Sequence, residues 1–189
     1  KPVENKSSIA GKIIVGFKEE TDWILRKLTS RATKIDVISI VGMPGLGKTT
    51  LADKIYNHES VVGHFDVRAW CTVDQERNEK KLLQKIFNQV IGLKERVNED
   101  GIDDDVADKL RRQLFGKRYL IVLDDLWDTA ILDELTRPFP TEFQKGSRVL
   151  LTSRKKEVAL HGKCHSDPLD LRLLTPDESW ELFEKRVFG

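Results

Sequence analysis

The sequence holds only two cysteines, Cys71 and Cys164, in 189 residues. That excludes a disulfide scaffold and fits a reducing, intracellular setting. It has no apolar run long enough to cross a bilayer. Nor does it begin with an apolar stretch and a small-residue cleavage pattern, so no signal peptide is read from it. A surplus of charge is missing too: 32 Lys+Arg against 31 Asp+Glu leave a formal net charge of +1. That balance argues against nucleic-acid binding by counterion release, and equally against an acidic solvating tail. Internal repeats and low-complexity tracts are absent. So is an initial Met: the chain starts at Lys1 and ends at Gly189 just after an apolar helix pattern, which reads as a piece of something longer.

What is present suits a folded domain. Hydrophobic residues make up 39%, and at this length a single domain buries roughly 70% of the surface its unfolded chain exposes. Residues 1–12 are polar and aperiodic and read as linker; residues 13–189 read as one folded unit. Ile35–Val41 is a β-branched, mostly apolar run, predicted as a buried strand. A helix is predicted over Lys48–Asn57, with Leu51 and Ile55 on one face, and a second strand over Asp66–Val73. Lys80–Val90 carries Leu82, Leu83, Ile86, Phe87 and Val90 at helical spacing. Lys94–Asp105 reads as a loop, followed by a helix through Val106, Leu110 and Leu114. Further strands are predicted at Tyr119–Leu123, Arg148–Thr152 and, weakly, Leu169–Leu171. Thr175, Pro176 and Glu178 supply the start signals of a last helix. Strands apolar on both faces, alternating with helices, indicate an α/β fold: a three-layer sandwich with a mainly parallel five-stranded sheet and helices on both faces.

Between the first strand and its helix lies Gly42-Met43-Pro44-Gly45-Leu46-Gly47-Lys48-Thr49-Thr50. It matches G-x-x-x-x-G-K-[ST], with the expected apolar strand before and helix after. Glycines let backbone N–H groups converge on phosphate oxygens, and a helix N-terminus adds partial positive charge. Lys48 can reach the β-phosphate, and the γ-phosphate when present; Thr49 offers a hydroxyl to Mg²⁺. Gly42, Pro44, Gly45, Leu46, Gly47, Lys48, Thr49 and Thr50 are therefore the candidate phosphate-binding residues. Downstream, Leu120-Ile121-Val122-Leu123 ends in Asp124-Asp125, which puts carboxylates at the sheet edge where ligands of α/β folds bind. Asp124 is the candidate for holding Mg²⁺ with Thr49. Asp125 is the candidate for positioning the attacking water. Arg154, after the fourth strand, has two readings: a contact to the terminal phosphate, or a solvated member of the triplet Arg154-Lys155-Lys156.

This ordered set resembles the NB-ARC module of plant NLR immune receptors, in the STAND class of P-loop switch ATPases. The matching stretches are Val15-Gly16-Phe17, the Gly42–Thr49 loop, Phe65-Asp66-Val67-Arg68-Ala69-Trp70, Leu123-Asp124-Asp125-Leu126-Trp127, Gly146–Arg154, and Leu173–Phe183 with Trp180. Trp127 after the aspartates is similar to the coiled-coil class, and the overall wording is nearest to the nightshade helper receptors called NRC. The resemblance implies that Val15, Gly16 and Phe17 line the adenine pocket and that Arg154 is a sensor of nucleotide state. It implies ADP or ATP with Mg²⁺ as cofactor. ADP would hold the receptor off, and exchange for ATP would drive a homo-oligomer that triggers the hypersensitive death of the cell. The partners that go with it are the ARC, coiled-coil and leucine-rich-repeat regions of the parent chain, and a regulatory or pathogen protein on the surface. Its localisation would be cytoplasmic, with membrane association on activation of the full-length protein. The downstream GLPL and MHD stretches of the family are absent, so this is expected to be the nucleotide-binding subdomain alone, with weakened ADP retention.

Other features have plain readings. His161, Cys164 and His165 lack a fourth ligand in spacing and read as a surface loop. Cys71, Trp23, Trp70 and Trp180 read as packing residues, and Asp103-Asp104-Asp105 as a helix start favoured by the dipole. A turnover P-loop ATPase or small-molecule kinase is the competing function. Asp125 is shorter than the Glu usual in efficient ATPases, which favours at most slow hydrolysis. No Asn-Lys-x-Asp stretch is present to read guanine.

Overall fold

The structure, a computed structural model, describes residues 17–93, 99–142, 145–171 and 184. The predicted linker 1–12, Val15 and Gly16 lie outside these residues, as does the predicted last helix with Trp180.

Five strands form one sheet: β1 (Asp36–Val41), β2 (Val67–Thr72), β3 (Tyr119–Asp124), β4 (Arg148–Ser153) and β5 (Leu169–Asp170), in the order β2-β3-β4-β1-β5. All four strand pairs are parallel, so the sheet is wholly rather than mainly parallel. The three central strands β1, β3 and β4 are buried along their whole length. Period-2 alternation sorts their side chains. Val37, Tyr119, Ile121, Leu123, Val149 and Leu151 point to one core, and Ile38, Ile40, Leu120, Val122 and Leu150 to the other.

Helices α1 (Lys18–Leu28), α2 (Lys48–Tyr56) and α3 (Glu59–Val62) cover the second face. Helices α4 (Glu79–Val90), α5 (Val106–Leu114), α6 (Thr129–Thr136) and α7 (Lys156–Gly162) cover the first. Three of them bury residues at helical spacing: Ile24 and Leu28 on α1, Leu51 and Ile55 on α2, Val106, Leu110 and Leu114 on α5. Asn78 caps α4 by accepting from the Lys81 N–H, and Asp128 caps α6 by accepting from the Ala130 N–H. Helices α1, α3, α6 and α7 extend the elements read from the sequence. The predicted loop 94–105 contains a 3₁₀ turn at Glu99–Gly101. As expected, the acidic triplet opens α5, where Asp103 pairs with Lys109 and accepts the Asp105 N–H at 2.9 Å.

Two features frame the sheet. At its amino end the guanidinium of Arg148, 1% exposed, donates to the carbonyls of Lys27, Ala32, Lys34 and Ser147 and to the Ser30 hydroxyl, at 2.9–3.1 Å. All five of its N–H donors are used. At the β2 edge, the side-chain amide of Gln89 on α4 accepts from the Trp70 N–H at 2.7 Å and donates to the Trp70 carbonyl at 2.6 Å.

Candidate functional site

The strand order decides what meets at the carboxyl end of the sheet. β4 lies between β1 and β3, so its end sits between the loop after β1 and the acids after β3. Gly42 N–H donates to the Ser153 carbonyl at 3.3 Å, which joins that loop to β4. Gly45 (φ +83°) and Gly47 (φ +89°) take left-handed backbone that favours glycine. Gly47 serves as the N-cap of α2 and brings no capping side chain, so the first-turn N–H groups have no side-chain acceptor from the cap.

Lys48 is buried at the start of α2, and its Nζ donates to the carbonyls of Gly42 at 2.7 Å and Met43 at 2.9 Å. An ammonium has three donors, so one remains for an incoming oxygen. Burial lowers its pKa, Asp125 opposes that shift, and Arg154 adds to it. Thr49 Oγ1 donates to Asp124, 2.9 Å from Oδ1 and 3.2 Å from Oδ2. Residues 75 apart in sequence therefore meet as a hydroxyl and a carboxylate. These are hard oxygen donors of the kind Mg²⁺ prefers, and the pair fits the ion expected there. No group of three or more His, Cys, Asp or Glu that could hold a metal occurs among the described residues. A cation here would rest on Thr49, Asp124, phosphate oxygens and water.

Asp125 stands at φ +56°, a conformation uncommon outside glycine but tolerated by Asp and Asn. Its N–H donates to Thr152 Oγ1 at 2.8 Å. Burial raises its pKa, and Asp74, whose carboxyl is hydrogen-bonded to it, and Asp124 push the same way, while Arg154 pulls it down.

The cleft enclosed by these groups measures ≈ 320 Å³ and is lined by Pro44, Gly45, Gly47, Lys48, Thr49, Asp125, Thr152 and Arg154. That volume suits a small polar ligand. Gly42, Leu46, Thr50 and Asp124 stand in or beside the same elements without lining it. A Cβ at Gly42 would come within 3.2 Å of Leu171 Cβ and 3.3 Å of Leu46 Cδ1, so this position is set by packing. Phe17 is 2% exposed, packed with the α1 and α2 core residues.

Sequence reading alone singled out neither Thr152 nor Asp74 as a site residue. The available signal for Thr152 was the change from an apolar run to hydroxyls at the strand's carboxyl end. For Asp74 it was an acid one residue past Val73. Elsewhere, His161 Nε2 lies 2.8 Å from Asp133 Oδ1, and the His165 N–H donates to Asp36. Cys71 is 1% exposed, with its thiol pushed up to about 12 by burial. Trp23 and Trp70 pack against the α1–α3 core.

The family described as the NB-ARC domain matches residues 17–189. A putative late blight resistance protein homolog from Solanum demissum is 47% identical over 176 residues, covering 93% of this chain and 22% of that protein. Another such homolog from the same species is 46% identical over 176 residues, covering 93% of this chain and 13% of its own length. The chain therefore spans less than a quarter of these relatives. Among solved structures, the Aeropyrum pernix ORC2 protein in ADPNP–ADP complexes gives a TM-score of 0.62 at 17% identity, covering 91% of this chain and 51% of that one. A Pyrococcus horikoshii signal transduction ATPase with numerous domains, with a tetratricopeptide repeat sensor, gives 0.54 at 18%, covering 89% and 25%. At these identities the likeness is one of fold.

Proposed function

This chain belongs to the NB-ARC domain family, and on that footing we propose that it binds ADP and ATP as Mg²⁺ complexes and acts as the nucleotide switch of a plant immune receptor. The observation that carries the reading is the meeting of Lys48, Thr49 and Asp124 where β1 and β3 end. A buried ammonium, a helix N-terminus free of a capping side chain and a hydroxyl–carboxylate pair complement a polyphosphate and its cation. Lys48 carries the phosphate contact, Thr49 and Asp124 hold Mg²⁺, and Arg154, exposed at the cleft's rim, reads the terminal phosphate. Val15, Gly16 and Phe17 form the adenine side.

Hydrolysis by this site is slow. Asp125 is the group placed to orient water, and its side chain is shorter than the Glu usual in efficient ATPases of this kind, so it serves an attacking water poorly. In the parent receptor, of the coiled-coil class, this domain works beside the ARC, coiled-coil and leucine-rich-repeat regions; ADP holds the resting state and ATP exchange drives homo-oligomerisation, leading to hypersensitive cell death. That receptor works in the cytoplasm and meets the membrane on activation.

The test is a titration of fluorescent ADP against wild type and Lys48→Ala. Loss of the charge-assisted contact, worth ~1.5–3 kcal/mol, weakens binding about tenfold or more. Equal affinity would remove Lys48 from the site. Steady ATP turnover by the full-length receptor near the enzyme median of about 10 per second would make it a turnover ATPase instead of a switch.

A further inference from the structure

We infer that Thr152 is a positioning residue for the divalent cation: its hydroxyl fixes Asp124 so that Oδ2 faces the metal. The inference rests on the nucleotide reading above and adds to it a residue from a third strand.

The bond directions around Thr152 are not ambiguous. The Asp125 N–H can only donate, and it reaches Thr152 Oγ1 at 2.8 Å. An ionised carboxylate can only accept, and Thr152 Oγ1 lies 2.6 Å from Asp124 Oδ1. The hydroxyl therefore accepts from one acid's backbone and gives its single proton to the other acid's side chain. Such a chain polarises each bond in turn.

Asp124 is 2% exposed, so its oxygens need partners. Oδ1 accepts from both Thr152, at 2.6 Å, and Thr49, at 2.9 Å; Oδ2 has only the longer 3.2 Å contact to Thr49. Oδ1 is thus committed to the protein, and Oδ2 retains the acceptor capacity a cation would use. The scaffold behind the hydroxyl is fixed. Thr152 is 1% exposed, and its carbonyl accepts the Leu126 N–H at 2.9 Å. Next to it, Ser153 Oγ donates to the Leu126 carbonyl at 2.6 Å. The end of β4 therefore clasps the turn that carries both acids, two residues before Arg154.

The experiment measures ADP affinity in excess Mg²⁺ and in EDTA for wild type, Thr152→Val and Thr152→Ser. Valine keeps the shape and removes both bonds; serine keeps the hydroxyl. Wild type binds more tightly with Mg²⁺. Thr152→Val loses about tenfold more ADP affinity in Mg²⁺ than in EDTA, so the Mg²⁺ enhancement falls by the scale of one hydrogen bond to a charged group. Thr152→Ser retains the enhancement. A purely structural role would weaken both conditions alike and so would overturn the assignment. An unchanged Mg²⁺ enhancement in Thr152→Val, with ADP still bound in EDTA, would overturn it while leaving the nucleotide reading intact. Should the valine variant not fold, loss of the enhancement in Thr152→Ser would overturn it equally. Absence of ADP binding by wild type in both conditions would overturn the nucleotide reading, and this inference with it.

Discussion

The two ends of the sheet solve the same chemical problem with opposite results. Each buries a cation: Arg148 at the amino end, Lys48 at the carboxyl end. Each uses a β4-side hydroxyl to reach β3. Ser147 Oγ accepts the Tyr119 N–H at 3.0 Å and donates to the Lys117 carbonyl at 3.2 Å; Thr152 accepts the Asp125 N–H and donates to the Asp124 carboxylate. At the amino end every donor of the arginine is matched and the hydroxyl joins backbone to backbone. At the carboxyl end the lysine keeps a donor, the hydroxyl ends on an acid, and Asp74 and Asp125 hold left-handed backbone. Burial of charge alone does not mark a site. Unspent bonding capacity at a cleft does.

Three experiments would break or sharpen this contrast. The largest effect is expected from Arg148→Met. The substitution removes five hydrogen bonds, each worth roughly 0.5–1.5 kcal/mol net, so urea unfolding should show a loss of about 3 kcal/mol or more. ADP affinity of the folded protein should stay within about twofold, because the ends are too far apart to couple. A large affinity loss would mean the ends are not independent. Ser147→Ala comes next, with about 1–2 kcal/mol lost in the same measurement and no change in the Mg²⁺ dependence of ADP binding, in contrast to Thr152→Val.

The smallest effect is a slope. Folded Asp125 holds its proton more tightly than the unfolded chain does. Folded protein then binds more protons than unfolded, so this residue's contribution to stability falls as pH rises from the ordinary aspartate range through the raised value. Asp125→Asn, which tolerates the same backbone, should flatten that part of the curve in urea midpoints followed across pH. An unchanged slope would mean Asp125 is not the group responsible.

Much of the fold could be read along the chain. The strands at 36–41, 119–124 and 148–153 are apolar throughout because both faces are covered, and the glycine-lysine loop carries its chemistry in consecutive residues. Asp124 was legible because an acid ended an apolar run. The helices α1, α6 and α7 were less so, being short or mixed in polarity, although Asp128 ahead of Thr129 was a cap signal in plain view. Thr152 and Asp74 were hidden for a different reason. Thr152 meets Asp124 across 28 positions, and that meeting depends on β4 inserting between β1 and β3. Asp74 reaches Asp125 because Thr72 is in register with Asp124. No local pattern encodes either neighbour.

The amide of Gln89 has a consequence for how the molecule meets its own copies. β2 is an edge strand, and an edge of free N–H and C=O groups is an invitation to pair with another chain. With both polar groups of Trp70 taken, Gln89 acts as a counterfeit peptide unit, presenting the strand with a neighbour that cannot be extended. Sheet-to-sheet association at the middle of this edge is thereby discouraged, so a partner that meets this edge there has to be chosen by side chains.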